Sequence, residues 1–249
     1  ALYPETTLSV IDLTTGKRRT IAKSPTSNWH ISWSSDSSRL FYYVDEPKRA
    51  VYVAAIGTGR SRRLFQPKED VISLMCSPDG ARIAYVEGRV LRLASQRDGS
   101  GIKTILRLPT SQGFEDNALR WSPDGKRISY VVTFAKSASL DPPPLESDRE
   151  LRIIDIKTHT ENKVTAWTIS FPEEDLRFVS MFWLSNRNDL LMAIDKRDGG
   201  IQQRSLLFRD SLANKRQTLI FDTGDGGAGL DWHQISRRSL PLGQGSREP

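Results

Sequence analysis

The chain has 249 residues, of which 27% are charged, and its formal net charge at neutral pH is +6. This length corresponds to one large domain or two modest ones, and it allows a core that needs neither disulfides nor a structural metal. The single cysteine, Cys76, excludes an internal disulfide. No run of 18 apolar residues predicts a membrane span, and the moderate charge does not by itself indicate nucleic-acid binding.

The first segment, residues 1–22, reads as the end of one strand followed by two complete strands. It is similar to residues 41–65, in which β-branched and aromatic residues stand between clusters of turn-forming residues, as in strands. The chain is therefore expected to begin inside a sheet.

A phrase then recurs along the chain. Residues 76–86 read CSPDGARIAYV and residues 121–131 read WSPDGKRISYV. Weaker copies lie before and after these two, so that five anchor positions stand 43 to 62 residues apart: Trp33, Cys76, Trp121, Trp183 and Trp232. Self-similarity at a spacing near 45 residues indicates a repeat architecture.

Each of the first four copies predicts a hairpin followed by a second pair of strands. In Pro-Asp-Gly the proline fixes φ for a turn, the aspartate bonds its own backbone, and the glycine accepts positive φ. The second pairs are AVYVAAI with SRRLF, VLRLASQ with IKTILRL, LRIIDIK with KVTAWTI, and RSLLFRD with RQTLIF. Four antiparallel strands per repeat, named A to D, predict the blades of an all-β propeller.

Near the end of the chain, AGLDWH at 228–233 reads as one more A strand, and Pro241 disfavours a strand in the polar residues that follow. We expect one domain over residues 1–236, with five four-stranded blades, one of them completed by both termini, and a polar tail over 237–249. Ring closure removes exposed sheet edges. The alternative is that the chain was cut from a longer propeller.

The anchor residues are interpreted as core. Large aromatic side chains at one repeated position supply the volume that packing between blades needs, so the four tryptophans are expected to be buried rather than to contact a ligand. Cys76 then replaces them as a small buried apolar group and not as a reactive thiol.

The phrase W-S-P-D-G-(K/R)-R-I-(S/A)-Y-V resembles the WD40-like (PD40-type) repeats of TolB-like β-propellers. Residues 77–80 and 122–125 match SPDG in full, and residues 35–37 match it in part. Such repeats also occur in the propellers of the tricorn and prolyl oligopeptidase families. The resemblance implies an extracytoplasmic location, periplasmic or secreted. It leaves two functions open: a non-catalytic scaffold that binds a protein, peptide or small ligand through loops on one face, or the gating propeller of a serine peptidase whose catalytic domain lies outside this chain.

The sequence contains no motif that carries catalysis. A Gly-x-Ser-x-Gly nucleophile elbow and a phosphate-binding loop are missing, and the three histidines are scattered. Residues 222–229, DTGDGGAG, faintly suggest calcium but lack the bidentate glutamate of an EF-hand loop, which favours a linker. We therefore expect a non-enzymatic chain without metal or cofactor.

Charge is expected to separate between the two faces of the disc, because D–A and B–C loops share one face and A–B and C–D turns share the other. Carboxylates fall in the D–A segments, at Glu69, Asp70, Glu115, Asp116, Glu173, Glu174, Asp175, Asp222 and Asp225. Basic residues fall in the opposite turns, at Lys17, Arg18, Arg19, Arg39, Arg60, Arg62, Arg63, Arg82, Lys126, Arg127, Lys215, Arg216, Arg237 and Arg238. These are either solvated turns or binding surfaces for charged partners.

The third repeat contains a long B–C loop, predicted over residues 134–150. Pro142, Pro143 and Pro144 would hold part of it in an extended polyproline II form, on the same face as the acidic segments. Such a loop is either a recognition element or a tolerated insertion. The expected partner is a protein or peptide that contacts this face of a monomer, with neither nucleic acid nor membrane insertion involved.

Overall fold

The structure is a computed structural model, and it describes residues 6–24, 29–45, 48–135, 147–169, 175–185, 189–198 and 201–222. Within these ranges all regular structure is β-strand, so no helix there is long and apolar enough to cross a membrane. The all-β prediction is confirmed.

Nineteen strands form five antiparallel sheets among the described residues. The first sheet contains β1 (Thr6–Ile11) and β2 (Arg18–Ser24). Blade I contains β3 (His30–Trp33), β4 (Arg39–Val44), β5 (Ala50–Ala55) and β6 (Ser61–Phe65). Blade II contains β7 (Val71–Cys76), β8 (Arg82–Glu87), β9 (Val90–Ser95) and β10 (Lys103–Arg107).

Blade III contains β11 (Gln112–Phe114), β12 (Arg120–Trp121), β13 (Arg127–Ala135), β14 (Ser147–Asp155) and β15 (Glu161–Ile169). Blade IV contains β16 (Asp175–Trp183), β17 (Asp189–Asp198), β18 (Ile201–Ser211) and β19 (Arg216–Asp222). Sequential strands pair in each sheet, as the four predicted second pairs of strands require, except that β11 and β12 of blade III both pair with β13. The predicted closing strand at 228–233 and the tail at 237–249 lie outside the described residues.

The repeated phrase encodes one hydrogen-bonded turn, in which serine has a part that the sequence analysis did not assign. In blade II, Ser77 Oγ donates to Asp79 Oδ1 at 2.5 Å and accepts from the Arg82 amide at 2.9 Å. Blade III has the same bonds with Ser122 as the central residue. Each network joins the two ends of a turn, which fixes the register of the A–B hairpin.

The incomplete copy in blade I forms the same turn without proline or glycine. Ser34 Oγ donates to Asp36 Oδ1 at 2.6 Å and accepts from the amide of Arg39 at 2.9 Å. Ser37 takes φ 57°, in the left-handed region that Gly80 and Gly125 occupy in blades II and III. The serine–aspartate pair is therefore the common feature of the three turns.

Two of the anchors pack between blades as predicted. Trp121 is 7% exposed and its Nε1 donates to the Met75 carbonyl of blade II at 3.1 Å. Trp183 is half-buried and its Nε1 donates to Ser129 Oγ of blade III at 3.0 Å. Each anchor thus binds the preceding blade.

The other anchors differ. Cys76 is buried as predicted, and burial raises the pKa of its thiol to about 12. Trp33 is 44% exposed, so its assignment to the core is wrong in the described structure. In blades III and IV the anchor packs on the preceding blade, and the strand predicted to precede Trp33, at 228–233, lies outside the described residues. Trp232 lies outside them as well.

The predicted long loop of the third repeat is shorter than expected. Strands β13 and β14 extend until Ala135 pairs with Ser147, so both ends of the 134–150 segment belong to a hairpin. The prediction was wrong at these ends because the polar and charged residues 147–150 were taken for loop, although they continue the strand pairing. Residues 136–146, which include Pro142, Pro143 and Pro144, lie outside the described residues.

Candidate binding face

One face of the blades is formed by the chain segments 45–49, 66–70, 88–89 and 108–119, and we call it the D–A face. The registers place these segments together: Val44 pairs with Ala50, and Val71 pairs with Glu87, which in turn pairs with Val90. The opposite face, formed by the A–B and C–D turns, we call the A–B face.

Asp70 is joined to blade I by two side chains. Its Oδ1 accepts hydrogen bonds from Tyr43 Oη at 3.1 Å and from Arg49 Nε. The bond from Arg49 lowers the pKa of Asp70, and burial raises the pKa of Tyr43 to about 12, with a further contribution from the Asp70 charge. Asp70 and Arg49 remain about half exposed, so this ion pair lies at the surface.

Next to this pair, an open hollow of about 690 Å³ lies between the β4–β5 loop of blade I and the linker to blade II. Its wall includes Asp45, Lys48, Arg49 and Lys68, so charges of both signs surround it. The predicted acid-rich face thus also carries basic residues at this point.

Glu69 is exposed and is positioned by a carboxylate that the sequence analysis missed. Glu87, only 4% exposed, accepts the amides of Lys68 and Glu69 through Oε1, and its Oε2 lies 2.7 Å from Arg92. Glu69 Oε2 lies over Gly88, where an added Cβ would come within 2.0 Å of it. No sequence signal distinguished Glu87, because it reads as the last residue of a strand.

Glu115 and Asp116 do not occupy a D–A loop as predicted. They lie between β11 and β12, in an interruption of the inner strand of blade III, because β11 already pairs with β13 at Gln112–Phe114. Glu115 Oε2 accepts from Arg149 Nε at 2.8 Å, and both side chains are mostly covered. Arg149 was assigned to the long loop, which concealed this pairing.

The interruption reaches across blade II to blade I. The Asn117 amide donates to the Ile72 carbonyl at 3.1 Å, and Asn117 Oδ1 lies 3.0 Å from Nδ1 of His30. The His30 side chain is 2% exposed, whereas Asp116, at 3.7 Å from the same nitrogen, is 61% exposed. Asn117 of blade III therefore contacts blade II through its backbone amide and blade I through the buried imidazole of His30.

The remaining candidates are not gathered into this cluster. Asp175 begins β16, opposite Arg197 in register, and Asp222 ends β19, opposite Leu206. Glu173, Glu174 and Asp225 lie outside the described residues. Among the residues that are described, no group of three or more His, Cys, Asp or Glu side chains is arranged to hold a metal ion.

Comparison with known proteins supports the assignment of the fold and goes no further. No protein-family model and no curated protein matches the sequence. TolB from Acinetobacter baumannii is similar in structure, with a TM-score of 0.59 and 21% identity over 85% of this chain and 47% of TolB. Dipeptidyl peptidase 4 from Porphyromonas gingivalis gives 0.55 and 14%, over 87% of this chain and 37% of the peptidase.

The β-propeller domain of Cps50 (Swd1) from Myceliophteria thermophila is also similar, with a TM-score of 0.54 and 13% identity over 88% of this chain and 66% of that domain. The chain thus spans about half the length of TolB and a smaller share of the peptidase. The blades described above and these similarities agree: the chain has a β-propeller fold like those of TolB and of WD40-type propellers.

Proposed function

We propose that the chain is a non-catalytic β-propeller scaffold that binds a protein or peptide through its D–A face. The observation that supports this most is the joining of three blades on that face by His30, Asn117 and the Asp116 segment. Rigid sheets beneath converging loops are a common arrangement for recognition.

The charges on this face favour a partner with cationic or hydrogen-bond-donating groups. Glu69 and Asp116 are exposed and have no cationic side chain of Lys or Arg beside them in the described structure, whereas Asp70 and Glu115 are already paired with arginines. The exposed pair is therefore available to a partner, and the paired carboxylates hold the loops in place.

The test compares two double variants in affinity capture from the organism that encodes the chain. Glu69→Gln with Asp116→Asn changes the D–A face, and Arg60→Gln with Lys126→Gln changes exposed residues on the A–B face as the control. We expect a protein that is captured by the wild type and the control and is weakened at least tenfold by the first variant, with the same ratio for the purified partner in titration calorimetry. Equal capture by all three chains would refute the role of the D–A face.

The segment 136–146 is a second expected contact, and its deletion is straightforward to design. Because Ala135 pairs with Ser147, an Asn-Gly pair that replaces residues 136–146 closes the hairpin with a two-residue turn. We expect the melting temperature to be unchanged and the affinity for the captured partner to fall. Unchanged affinity would make the segment a tolerated insertion.

The alternative function, a gating propeller of a serine peptidase, is favoured by the structural similarity to dipeptidyl peptidase 4. The two proposals make different predictions for the sequence that the gene encodes beside the propeller. A Gly-x-Ser-x-Gly motif with Asp and His in the same reading frame supports the peptidase, and an open reading frame that encodes the propeller with a signal peptide or anchor supports the scaffold.

A further inference from the structure

A cavity of about 490 Å³ lies between blades III and IV and opens on the A–B face, away from the cluster described above. Its walls come from the first half of β15 in blade III and from the β18–β19 hairpin in blade IV, with Arg127 at the start of β13. This volume is in the range of small-molecule sites, which commonly lie between packed structural units.

Positive charge predominates in this cavity. Its cationic side chains are Arg127, Lys163, Lys215 and Arg216. Lys163 Nζ lies 2.7 Å from a carboxylate oxygen of Glu150, which partly compensates it. Lys215 and Arg216 are exposed, and in the part of the chain that the structure describes neither has a carboxylate at ion-pair distance. Adjacent ammonium and guanidinium groups favour a ligand with an oxyanion.

The cavity wall also contains a buried carboxyl group. Asp210 is 2% exposed, its Oδ1 accepts from Gln217 Nε2 at 2.9 Å, and its Oδ2 has no hydrogen-bond partner among the described residues. Burial raises the pKa of Asp210 to about 6. A buried acceptor without a donor is unfavourable, so a ligand hydroxyl that donates to Oδ2 would be stabilised there.

Together these groups specify two properties of a ligand. The exposed cations at the mouth require a negative group, and the unpartnered oxygen in the wall requires a hydrogen-bond donor on the same small molecule. Asn162, Thr165 and Ser211 line the space between and supply further hydrogen-bonding groups. We propose that this cavity binds a small hydroxylated organic anion of the sugar-phosphate class, with its oxyanion at Lys215 and Arg216 and a hydroxyl at Asp210.

Titration calorimetry of the chain at low salt tests the proposal, with glucose 6-phosphate as the probe and with glucose and inorganic phosphate as its two halves. Lys215→Gln with Arg216→Gln removes the proposed oxyanion contacts. The matched control is Lys17→Gln with Arg18→Gln, at the corresponding turn into β2, because neither residue lines this cavity. We expect saturable binding of glucose 6-phosphate that weakens at least tenfold in the first variant and is unchanged in the control.

Asp210→Asn separates the two halves of the site. At pH 8, where the carboxyl is ionised, it should weaken the binding of glucose 6-phosphate several-fold, because the ligand hydroxyl loses its carboxylate acceptor. The weaker binding of inorganic phosphate should not weaken, because for that anion the substitution only removes a negative charge from the cavity. The proposal is overturned if the wild type shows no saturable binding of glucose 6-phosphate at concentrations up to about 10 mM, roughly tenfold above a millimolar Kd. Equal losses in the Lys215/Arg216 and Lys17/Arg18 variants would also overturn it, since they would indicate unspecific attraction to a basic face.

Discussion

The junction between blades II and III and the junction between blades III and IV use the same pair of residues in different surroundings. Arg82 lies over the Trp121 ring at 5.5 Å in the first junction, and Arg127 lies over the Trp183 ring at 4.8 Å in the second. In each case the arginine at the end of the A–B turn covers the anchor of the following blade. The repeated phrase therefore encodes contacts between blades as well as the hairpin within each.

Around this shared pair the two junctions differ in polarity. The junction of blades II and III is an apolar cluster in which Leu91, Leu119 and Ile128 are buried beside Trp121. The junction of blades III and IV also has an apolar cluster, but the junction includes the polar side chain of Arg120, which bonds across to Ser180, and the cavity lined by Asp210. Burial lowers the pKa of Arg120, which donates to the Leu119 and Asn117 carbonyls and to Ser180 Oγ.

The comparison indicates how a propeller acquires a site. The repeat provides one closing contact at both junctions, and a few residues outside the repeat determine whether the space beside it is filled. Replacing apolar groups with buried polar ones costs stability, and this cost is commonly found at binding sites.

The largest expected effect comes from the anchors. Trp121→Ala should lower the free energy of unfolding by about 3–5 kcal/mol, because it leaves a cavity in a well-packed junction. Trp183→Ala should cost about 2 kcal/mol, since that ring is half-buried, and Trp33→Ala under about 1 kcal/mol because the ring is 44% exposed. Urea denaturation measures all three, and equal costs would show that the two junctions are alike.

Asp210→Asn is the next largest change and tests the polar junction through pH. The pKa of Asp210 in the folded protein is about 6, above its ordinary value of 3.8. Between pH 3.8 and about 6 the carboxyl is therefore protonated in the folded state and ionised in the unfolded state. Its contribution to the free energy of unfolding is therefore greatest below pH 4, and about 3 kcal/mol is lost as the pH rises to 6. The Asn variant should lack this loss and exceed the wild type in stability at pH 8.

Asp98, in the β9–β10 turn of blade II, is a control for which the pH dependence of stability has the opposite sign. Hydrogen bonds from Ser100 lower the pKa of the exposed Asp98 to about 2, so the stability that it contributes is present above pH 4 and lost as the pH falls through 2. Asp98→Asn should therefore reduce stability at neutral pH. If denaturation curves from pH 4 to 8 show the same slope in the wild type and in Asp210→Asn, the buried carboxyl is not the source of the difference between the junctions.

The sequence predicted the fold more completely than the surface. Repeat spacing and Pro-Asp-Gly turns predicted four blades and their strand order because those features depend on local backbone preferences and on a periodic apolar pattern. The pairing of Glu115 with Arg149, and the contact of His30 with Asn117, join residues that are 34 and 87 positions apart. Such pairs depend on how loops pack across blades, and one sequence holds no periodic signal for them.

The same reason explains why the acidic face was predicted from the carboxylates in the D–A segments but its basic residues were missed. Arg49 precedes a strand and Arg149 was placed in a loop, so neither belonged to a repeated position. Asp210 and its cavity were missed in the same way, because an aspartate beside Arg209 and Ser211 at the polar end of a strand resembles a solvated turn residue until the neighbouring blade is in place.

Substitutions at the left-handed position of the repeated turn test how much the backbone conformation of that turn contributes to stability. Gly125 has φ 66°, and an added Cβ would meet nothing closer than 3.9 Å, so Gly125→Ala should cost about 1–2 kcal/mol through backbone strain alone. Ser37→Gly should raise stability slightly, because Ser37 has φ 57° and the strain that glycine removes is somewhat larger than its cost in unfolded-chain entropy. Thermal unfolding distinguishes the signs. A stabilising Gly125→Ala would contradict the left-handed turn.

The smallest expected effect is the arginine–tryptophan contact itself. In a double-mutant cycle, Arg127→Met with Trp183→Phe should give a coupling of about 0.5–1 kcal/mol, and Arg82→Met with Trp121→Phe a somewhat smaller value, because the first guanidinium lies closer to its ring. Methionine retains an apolar stem, so the cycle reports the charge over the ring rather than lost packing. A larger coupling at Trp121 would mean that apolar surroundings strengthen the contact more than proximity does. The polar junction would then be held mainly by its apolar cluster.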